Sequence, residues 1–151
     1  MRKIFAFTTA LFLSTSLGHA AMSDADCEAA FKKADGNSDG TLTDQEAGQY
    51  YAAMRIANKP VAGGTMTKDV FISNCKAGMY ETVKRVNDTG APLAGANSFT
   101  EAQAQDRAIA AGFSKVSALK KDDNGVWRGT ASSEGKDVGV AIDFKGNVVA
   151  N

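Results

Sequence analysis

Histidine is almost absent from this sequence: His19 is the only one in 151 residues. It lies in an N-terminal segment that we expect to be removed, so the mature chain would contain none. Histidine-based catalytic triads, histidine zinc sites and histidine general bases are then excluded. The chemistry of any functional site must come from other side chains.

The N-terminal apolar run is too short to span a membrane. It extends from Ile4 to Leu17, which is 14 residues, whereas a transmembrane helix needs about 20. Arg2 and Lys3 precede the run, and a small-x-small cleavage site at 18–20 follows it. This pattern predicts a secretory signal peptide over residues 1–20 and export to the periplasm or the cell exterior. An uncleaved anchor is the weaker alternative.

The sequence also lacks an excess of either charge. Cleavage after Ala20 leaves 131 residues with 17 acidic and 15 basic side chains, a net charge of −2. This balance argues against a nucleic-acid partner and against binding to an anionic membrane.

Cysteine is scarce, with Cys27 and Cys75 as the two copies. Export would place them in an oxidising compartment, where a pair is more often a disulfide than two reactive thiols. A disulfide closing this long loop would stabilise the fold by about 4 kcal/mol. Two buried, unpaired thiols are the alternative.

The residues that are present divide the mature chain near residue 90. Residues 22–86 have a helical period, and residues 87–98 are a linker rich in Gly, Ala and Asn with no apolar period. Residues 99–151 fit one helix followed by strands. The predicted fold class is therefore α+β, with a helical N-terminal domain and a small helix-plus-antiparallel-sheet domain after it.

Residues 35–46 read DGNSDGTLTDQE and connect two amphipathic helical patterns. Oxygen-bearing side chains occupy positions 1, 3, 5, 7, 9 and 12 of this segment: Asp35, Asn37, Asp39, Thr41, Thr43 and Glu46. Calcium takes six to eight oxygen ligands from a flexible loop, and Gly40 at position 6 permits the sharp turn that such a loop needs. Thr41 would bind through its carbonyl oxygen, Thr43 through a water, and Glu46 through both carboxylate oxygens.

A turn that leads into a capped helix is the alternative reading of this segment. Thr43 and Glu46 also form a capping box, and Asp, Asn and Gly are common turn residues. A cap explains only the last four residues, however. Three carboxylates aimed at one point would repel one another without a cation. We therefore predict one Ca²⁺ site here.

The spacing of these oxygens resembles an EF-hand. The resemblance covers all twelve loop positions and both flanking helices, and it implies that Leu42 at position 8 points into the core. Two small residues, Ala34 and Ala47, depart from the family pattern at the ends of the loop. They should reduce the packing around it.

EF-hands usually occur in pairs joined at position 8, and a short internal repeat indicates a second copy. Residues 40–43, GTLT, recur as GTMT at 64–67. The helix after this repeat carries the apolar and polar residues Phe71, Asn74, Cys75, Met79 and Val83. With Gly64 at position 6, the second loop spans residues 59–70.

The second loop is predicted to bind no ion. Its ligand positions include Lys59, Val61, Gly63 and Val70. The resemblance implies that Met66 lies opposite Leu42. It also implies that the first and last helices of the pair pack side by side, which supports the disulfide between the two cysteines.

Residues 99–151 predict a helix with a capping box at Thr100 and Gln103, followed by three antiparallel strands at 115–121, 126–131 and 137–144. Asn124-Gly125 indicates a hairpin turn. The acidic stretch that includes this turn lacks a position-12 carboxylate, so we prefer a hairpin to a second metal loop. Trp127 is expected to pack in the core, with a surface binding role as the alternative.

This segment resembles a PepSY-like domain. The resemblance rests on AAGF at 110–113, DDNGVWRG at 122–129 and GKDVGVAIDFKGNVV at 135–149. It implies extracytoplasmic binding or inhibition, often of peptidases.

The combined prediction is an exported, non-enzymatic protein that binds one Ca²⁺ in the 35–46 loop and a protein partner through its C-terminal domain. The alternative is a secreted PepSY-like binding or peptidase-inhibitor module in which calcium is purely structural. An enzyme is disfavoured, because no histidine remains and the densest carboxylate cluster is already assigned to the ion.

Overall fold

The computed structural model describes residues 22–80 and 91–150. The fold is α+β, as predicted: three helices and a two-stranded ribbon come first, then one helix and a four-stranded antiparallel sheet. The predicted signal peptide, Val83 and residues 87–90 of the predicted linker lie outside the described ranges. Within those ranges, no helix is long and apolar enough to cross a membrane.

Helices α1 (Asp24–Ala34) and α2 (Asp44–Ile56) flank the 35–46 segment. Ser23 caps α1 by accepting a hydrogen bond from the N–H of Asp26, and Thr43 is the N-cap of α2. Acidic residues fill the first turn of both helices and basic residues the last, as the helix dipole favours. Both predicted helices are confirmed.

A two-stranded ribbon joins the two loops. Strands β1 (Thr41–Leu42) and β2 (Met66–Thr67) are antiparallel, with Leu42 directly opposite Met66. Both side chains are buried, at 0 % and 3 % exposure. The predicted pairing at position 8 is therefore confirmed.

Helix α3 extends over Lys68–Lys76, and Thr67 is its N-cap: the hydroxyl of Thr67 accepts a hydrogen bond from the N–H of Val70. We predicted that this helix would continue through Met79 and Val83, and it ends earlier. Gly78 has a φ of +68°, and the N–H of Met79 turns back to the carbonyl of Asn74 at 3.0 Å. Glycine in a left-handed conformation is the common way to stop a helix, so Met79 contacts the core from beyond the helix end.

The predicted disulfide is present. Cys27 in α1 and Cys75 in α3 are bonded, with their Cα atoms 5.9 Å apart, and both residues are buried. Both cysteines belong to the same buried cluster as an aromatic group in which Phe71 contacts the rings of Phe31, Tyr50 and Tyr80. The first and third helices thus lie side by side, as the paired arrangement requires.

The C-terminal half has one strand more than predicted. The sheet has the order β3 (Lys120–Lys121), β4 (Trp127–Ser133), β5 (Lys136–Ile142) and β6 (Val148–Ala150), all antiparallel. We predicted three strands and missed β6, because it is short and follows a turn whose closure depends on a buried carboxylate, Asp143. The predicted strand 115–121 is reduced to its last two residues; Lys115 has a φ of +49°, which interrupts an extended chain.

Helix α4 (Glu101–Ala110) packs on one face of this sheet and has the predicted capping box at Thr100 and Gln103. Ala104 and Ala108 of α4 are buried in the same cluster as Val140 and Ile142 of β5. Trp127 is partly buried against the same cluster, as expected, and its Nε1 donates to the carbonyl of Phe99 at 3.1 Å.

Residues 91–98 contain no helix or strand, yet they are fixed to the sheet. The N–H of Gly95 donates to the carbonyl of Asn124 at 2.9 Å, and Asn97 is buried. Lys121 Nζ donates to the carbonyl of Asn97 at 2.8 Å. This part of the predicted linker therefore belongs structurally to the C-terminal half.

Candidate metal centre

The 35–46 loop leaves α1 through Asp35, whose N–H still donates to the carbonyl of Phe31. Asp35 is 8 % exposed. Gly40 has a φ of +82°, a conformation that favours glycine. The helix end and this turn together direct the first carboxylate into the loop rather than toward solvent.

The carboxylate of Asp35 accepts two hydrogen bonds from the loop backbone. Its Oδ1 lies 3.1 Å from the N of Asp39, and its Oδ2 lies 3.0 Å from the N of Gly40. A buried carboxylate that receives backbone N–H groups from across the turn holds the loop closed.

Asp39 and Asn37 form a second polar cluster on the loop. Asp39 Oδ1 accepts hydrogen bonds from both the N–H and the hydroxyl of Thr41 at 2.8 Å, and its Oδ2 accepts from Asn37 Nδ2 at 2.8 Å. The bonds from Thr41, and then that from Asn37, lower the pKa of the Asp39 carboxyl below its ordinary value. Asp39 is therefore ionised at neutral pH.

Glu46 closes the loop from its far end. Its Oε2 accepts from the N–H of Thr43 at 3.0 Å and from the Thr43 hydroxyl at 2.9 Å. Its Oε1 accepts from the N–H of Gly36 at 3.0 Å, which joins the two ends of the loop. The Thr43 bonds are the main cause that lowers the pKa of Glu46. Glu46, which the sequence assigned both to the capping box and to the calcium site, thus caps α2 and also closes the loop.

The donor set fits a hard cation. All six predicted ligand residues, Asp35, Asn37, Asp39, Thr41, Thr43 and Glu46, offer oxygen atoms, and three of them offer carboxylates. Calcium takes this kind of ligand set. In the part of the chain that the structure describes, no three acidic, cysteine or histidine side chains converge closely enough to hold a metal. The carboxylates accept hydrogen bonds from N–H groups instead. To bind an ion, Asp39 and Glu46 would have to give up some of these hydrogen bonds and contact the ion in their place.

The 59–70 loop is held by different contacts. The N–H of Gly64 donates to Asp44 Oδ1 at 3.0 Å, and the hydroxyl of Tyr51 donates to the carbonyl of Gly64 at 2.8 Å. Val61 packs partly against the aromatic core. Two side chains of α2 therefore fix this turn. The sequence did not predict the roles of Asp44 and Tyr51, which lie 20 and 13 residues from Gly64.

The acidic turn at 122–125 is a hairpin, as predicted. Asp122 Oδ1 accepts from the N–H groups of Asn124 and Val126 at 2.9 Å, and its Oδ2 accepts from Arg128 Nε at 2.7 Å. The bond from Arg128 is the largest cause that lowers the pKa of Asp122. All of its oxygens are used within the turn.

A buried carboxylate that the sequence analysis did not single out is Asp143, at 1 % exposure. It accepts from Asn147 Nδ2 at 2.8 Å and from the N–H groups of Lys145, Asn147 and Leu93. Burial alone raises its pKa, but the hydrogen bonds, led by those from Asn147, outweigh burial and lower it. Asp143 therefore closes the β5–β6 turn and ties residues 91–97 to it, which is a structural role.

Comparisons of the chain with protein-family models, with curated proteins and with solved structures find no match. The loop geometry is therefore the basis for a function.

Proposed function

We propose that this protein is an exported, non-enzymatic calcium-binding protein that holds one Ca²⁺ in the 35–46 loop of an EF-hand-like pair. The observation that carries the proposal is the closed loop, in which the carboxylates of Asp35, Asp39 and Glu46 each accept hydrogen bonds from backbone N–H groups of the same segment. A capped helix alone needs only Glu46. The other two carboxylates have no role in starting α2.

The pairing of the loops supports one site rather than two. Leu42 and Met66 form the bridge between the loops, so the second loop contributes a strand and an apolar contact. Its turn is already satisfied by Asp44 and Tyr51. Lys59 at its first ligand position would place a positive charge where a cation has to bind.

Export is supported by the disulfide, because such bonds persist in oxidising compartments. The C-terminal half is proposed to bind a protein partner, as PepSY-like modules do. The absence of enzymatic activity rests on the chemistry of the mature chain, which has no histidine and no free cysteine among its described residues.

The affinity should be modest. The loop offers three carboxylates, its flanking residues are the small Ala34 and Ala47, and its partner loop adds no second ion. We expect a dissociation constant of about 10⁻⁵ to 10⁻³ M, with magnesium competing poorly because it demands rigid octahedral geometry.

Thermal unfolding of three proteins with and without calcium tests the proposal. A ligand that binds only the native state stabilises it, by about 2.7 kcal/mol at a hundredfold excess over the dissociation constant. Calcium should raise the Tm of the wild type and of Glu28→Gln, a control on the exposed face of α1. Glu46→Gln should show no rise. Equal calcium shifts in all three proteins would contradict the assigned ligands.

A further inference from the structure

Helix α2 connects the candidate calcium loop to the C-terminal half. Its start carries Glu46, and its end packs on α4. The contact is formed by small side chains that allow the two helices to approach closely: Ala52 and Ala53 of α2 and Ala110 of α4 are at most 2 % exposed. Ile56 and Ile109 extend the contact at its edge. The loop and the sheet domain thus share one rigid element.

An ion pair fixes the rotation of α2 on α4. Arg55 Nε lies 2.9 Å and 3.0 Å from the two carboxylate oxygens of Asp106, and Arg55 Nη2 also donates to Asp106 Oδ1. Asp106 is the less exposed partner, at 18 % against 44 %. A two-point contact of this kind specifies orientation, because it aligns the guanidinium plane with the carboxylate.

The other end of α2 is not packed in this way. A cavity of about 410 Å³ separates the α2 residues Gln45, Glu46 and Gln49 from the segment that follows α4, including Phe113 and Val116. Glu46 and Arg55 are nine residues apart, which is about 13 Å along a helix. One face of α2 is packed in the aromatic core through Ala47 and Tyr50. The face toward the C-terminal half is packed at the C-terminal end of the helix and has space beside its N-terminal end, where the candidate ligand Glu46 lies.

We propose that Asp106 and Arg55 are positioning residues for the calcium site: by fixing the end of α2, they set where Glu46 stands relative to the rest of the loop. The inference rests on the proposed function. Glu46 must release Thr43 and Gly36 to reach an ion. When α2 is held in one orientation, the released carboxylate has fewer positions available to it and reaches the ion at a lower entropy cost. Loss of the Arg55–Asp106 pair allows α2 several orientations and therefore lowers the calcium affinity.

The coupling must be reciprocal. If docking of α4 strengthens calcium binding, then calcium binding strengthens docking of α4 by the same free energy. Calcium is then expected to stabilise a helix of the C-terminal half, although none of the candidate ligands lies there.

Matched arginine variants separate positioning from general stability. Arg55→Ala removes the pair between the halves, and Arg128→Ala removes an Arg–Asp pair inside the hairpin at similar exposure, 47 % against 44 %. Calorimetric titration should show that Arg55→Ala weakens calcium binding by roughly three- to tenfold. Arg128→Ala should stay within about twofold of the wild type, since both partners of that pair belong to the hairpin and neither lies on α2 or in the 35–46 loop. The Arg55→Ala, Asp106→Ala double variant should bind no more weakly than Arg55→Ala.

Hydrogen exchange on the unmodified protein gives a test that needs no variant. Calcium should slow exchange of the amides of α4 at 104–110 as well as those of α1, α2 and the loop. Protection confined to residues 24–76, or an Arg55→Ala protein with wild-type affinity and only a lowered Tm, would show that the contact is merely structural. A wild type that binds no calcium in the titration would instead overturn the proposed function.

Discussion

The two loops of the N-terminal half lie in the same surrounding structure and differ in the side chains that close them. Each follows a helix end, forms one strand of the ribbon and leads into a helix capped by a threonine, Thr43 in one case and Thr67 in the other. The 35–46 loop is closed by its own carboxylates. The 59–70 loop is closed by Asp44 and Tyr51, which belong to α2.

This difference indicates that the structure shared by the two loops, here called the frame, is separable from the ligand set of one loop. The frame depends on the ribbon, the disulfide and the aromatic core around Phe71, which serve both loops. The ligand set depends on three carboxylates that serve one loop. Changes to the frame should affect the stability of both loops, whereas changes to the ligands should affect the 35–46 loop and its calcium affinity but not the 59–70 loop.

The largest expected effect comes from breaking the shared core. Phe71 is fully buried, with ring centroids 5.4 Å from Phe31, 4.7 Å from Tyr50 and 5.0 Å from Tyr80. Phe71→Ala should lower the free energy of unfolding by about 3–5 kcal/mol, measured by urea denaturation. A loss below about 1 kcal/mol would show that the two loops do not share this core.

Removal of the disulfide should have a similar but smaller effect. The bridge closes a separation of 48 residues. Replacing both cysteines by alanine should cost about 2–5 kcal/mol in the same urea experiment. The calcium affinity of the folded fraction should stay near that of the wild type, because no ligand is changed. Mass measurement before and after reduction and alkylation checks that the wild type is bridged; free labelling without reductant would contradict the structure.

A matched pair of glycines sharpens the comparison. Gly40 and Gly64 sit at the same position of the two loops, with φ values of +82° and +101° and no atom within 4 Å of an added Cβ. Alanine at either position should destabilise the calcium-free protein by about 1–2 kcal/mol, through backbone strain alone. Only Gly40→Ala should weaken calcium binding in a titration. Equal losses of affinity in the two variants would remove the distinction between the loops.

Asp44→Asn should have a smaller effect. It weakens the hydrogen bond from Gly64, which costs about 0.5–1.5 kcal/mol of stability. Asp44 lies between Thr43 and Glu46 in sequence, yet it serves the other loop. Its substitution should therefore leave the calcium affinity within about threefold, in contrast to Asp35→Asn, which removes a ligand charge. A similar loss in both variants, measured by calorimetry, would place Asp44 in the ion site.

The smallest effect is expected from pH near neutrality. Hydrogen bonds hold the pKa values of Asp39 and Glu46 below their ordinary 3.8 and 4.5. A depressed folded-state pKa contributes stability that is present above the unfolded pKa and is lost as pH falls through the folded pKa. Calcium affinity should therefore be constant from about pH 8 to 6 and fall below about pH 4. A calcium affinity that changes with pH around 6.5 would contradict these pKa directions.

The sequence was informative where the signals are local. The capping residues Thr43 and Thr100 and the hairpin at Asn124-Gly125 lie within a few residues of the features that they predict. The pairing of Leu42 with Met66 spans 24 residues, but each copy of the repeat marks its own strand. The end of α3 also has a local signal, Gly78. We predicted a longer helix because Met79 and Val83 continue its apolar spacing.

The features that the sequence did not predict depend on distant partners. The turn before β6 is held by Asp143, which also accepts the N–H of Leu93, 50 residues away. The contact of α2 with α4 joins Arg55 and Asp106, 51 residues apart, through alanines that carry no distinctive pattern. The fixed position of residues 91–97 depends on hydrogen bonds to Asn124, Lys121 and Asp143, which lie 24 to 50 residues away. Such contacts form only after folding brings their partners together.

The central claim is that the 35–46 loop, and not its partner loop, holds calcium. Calorimetric titration of the mature protein with calcium, then with magnesium, tests it most directly. We expect one site per chain with a dissociation constant of about 10⁻⁵ to 10⁻³ M and much weaker magnesium binding. No binding at millimolar calcium, or two equivalent sites, would contradict it.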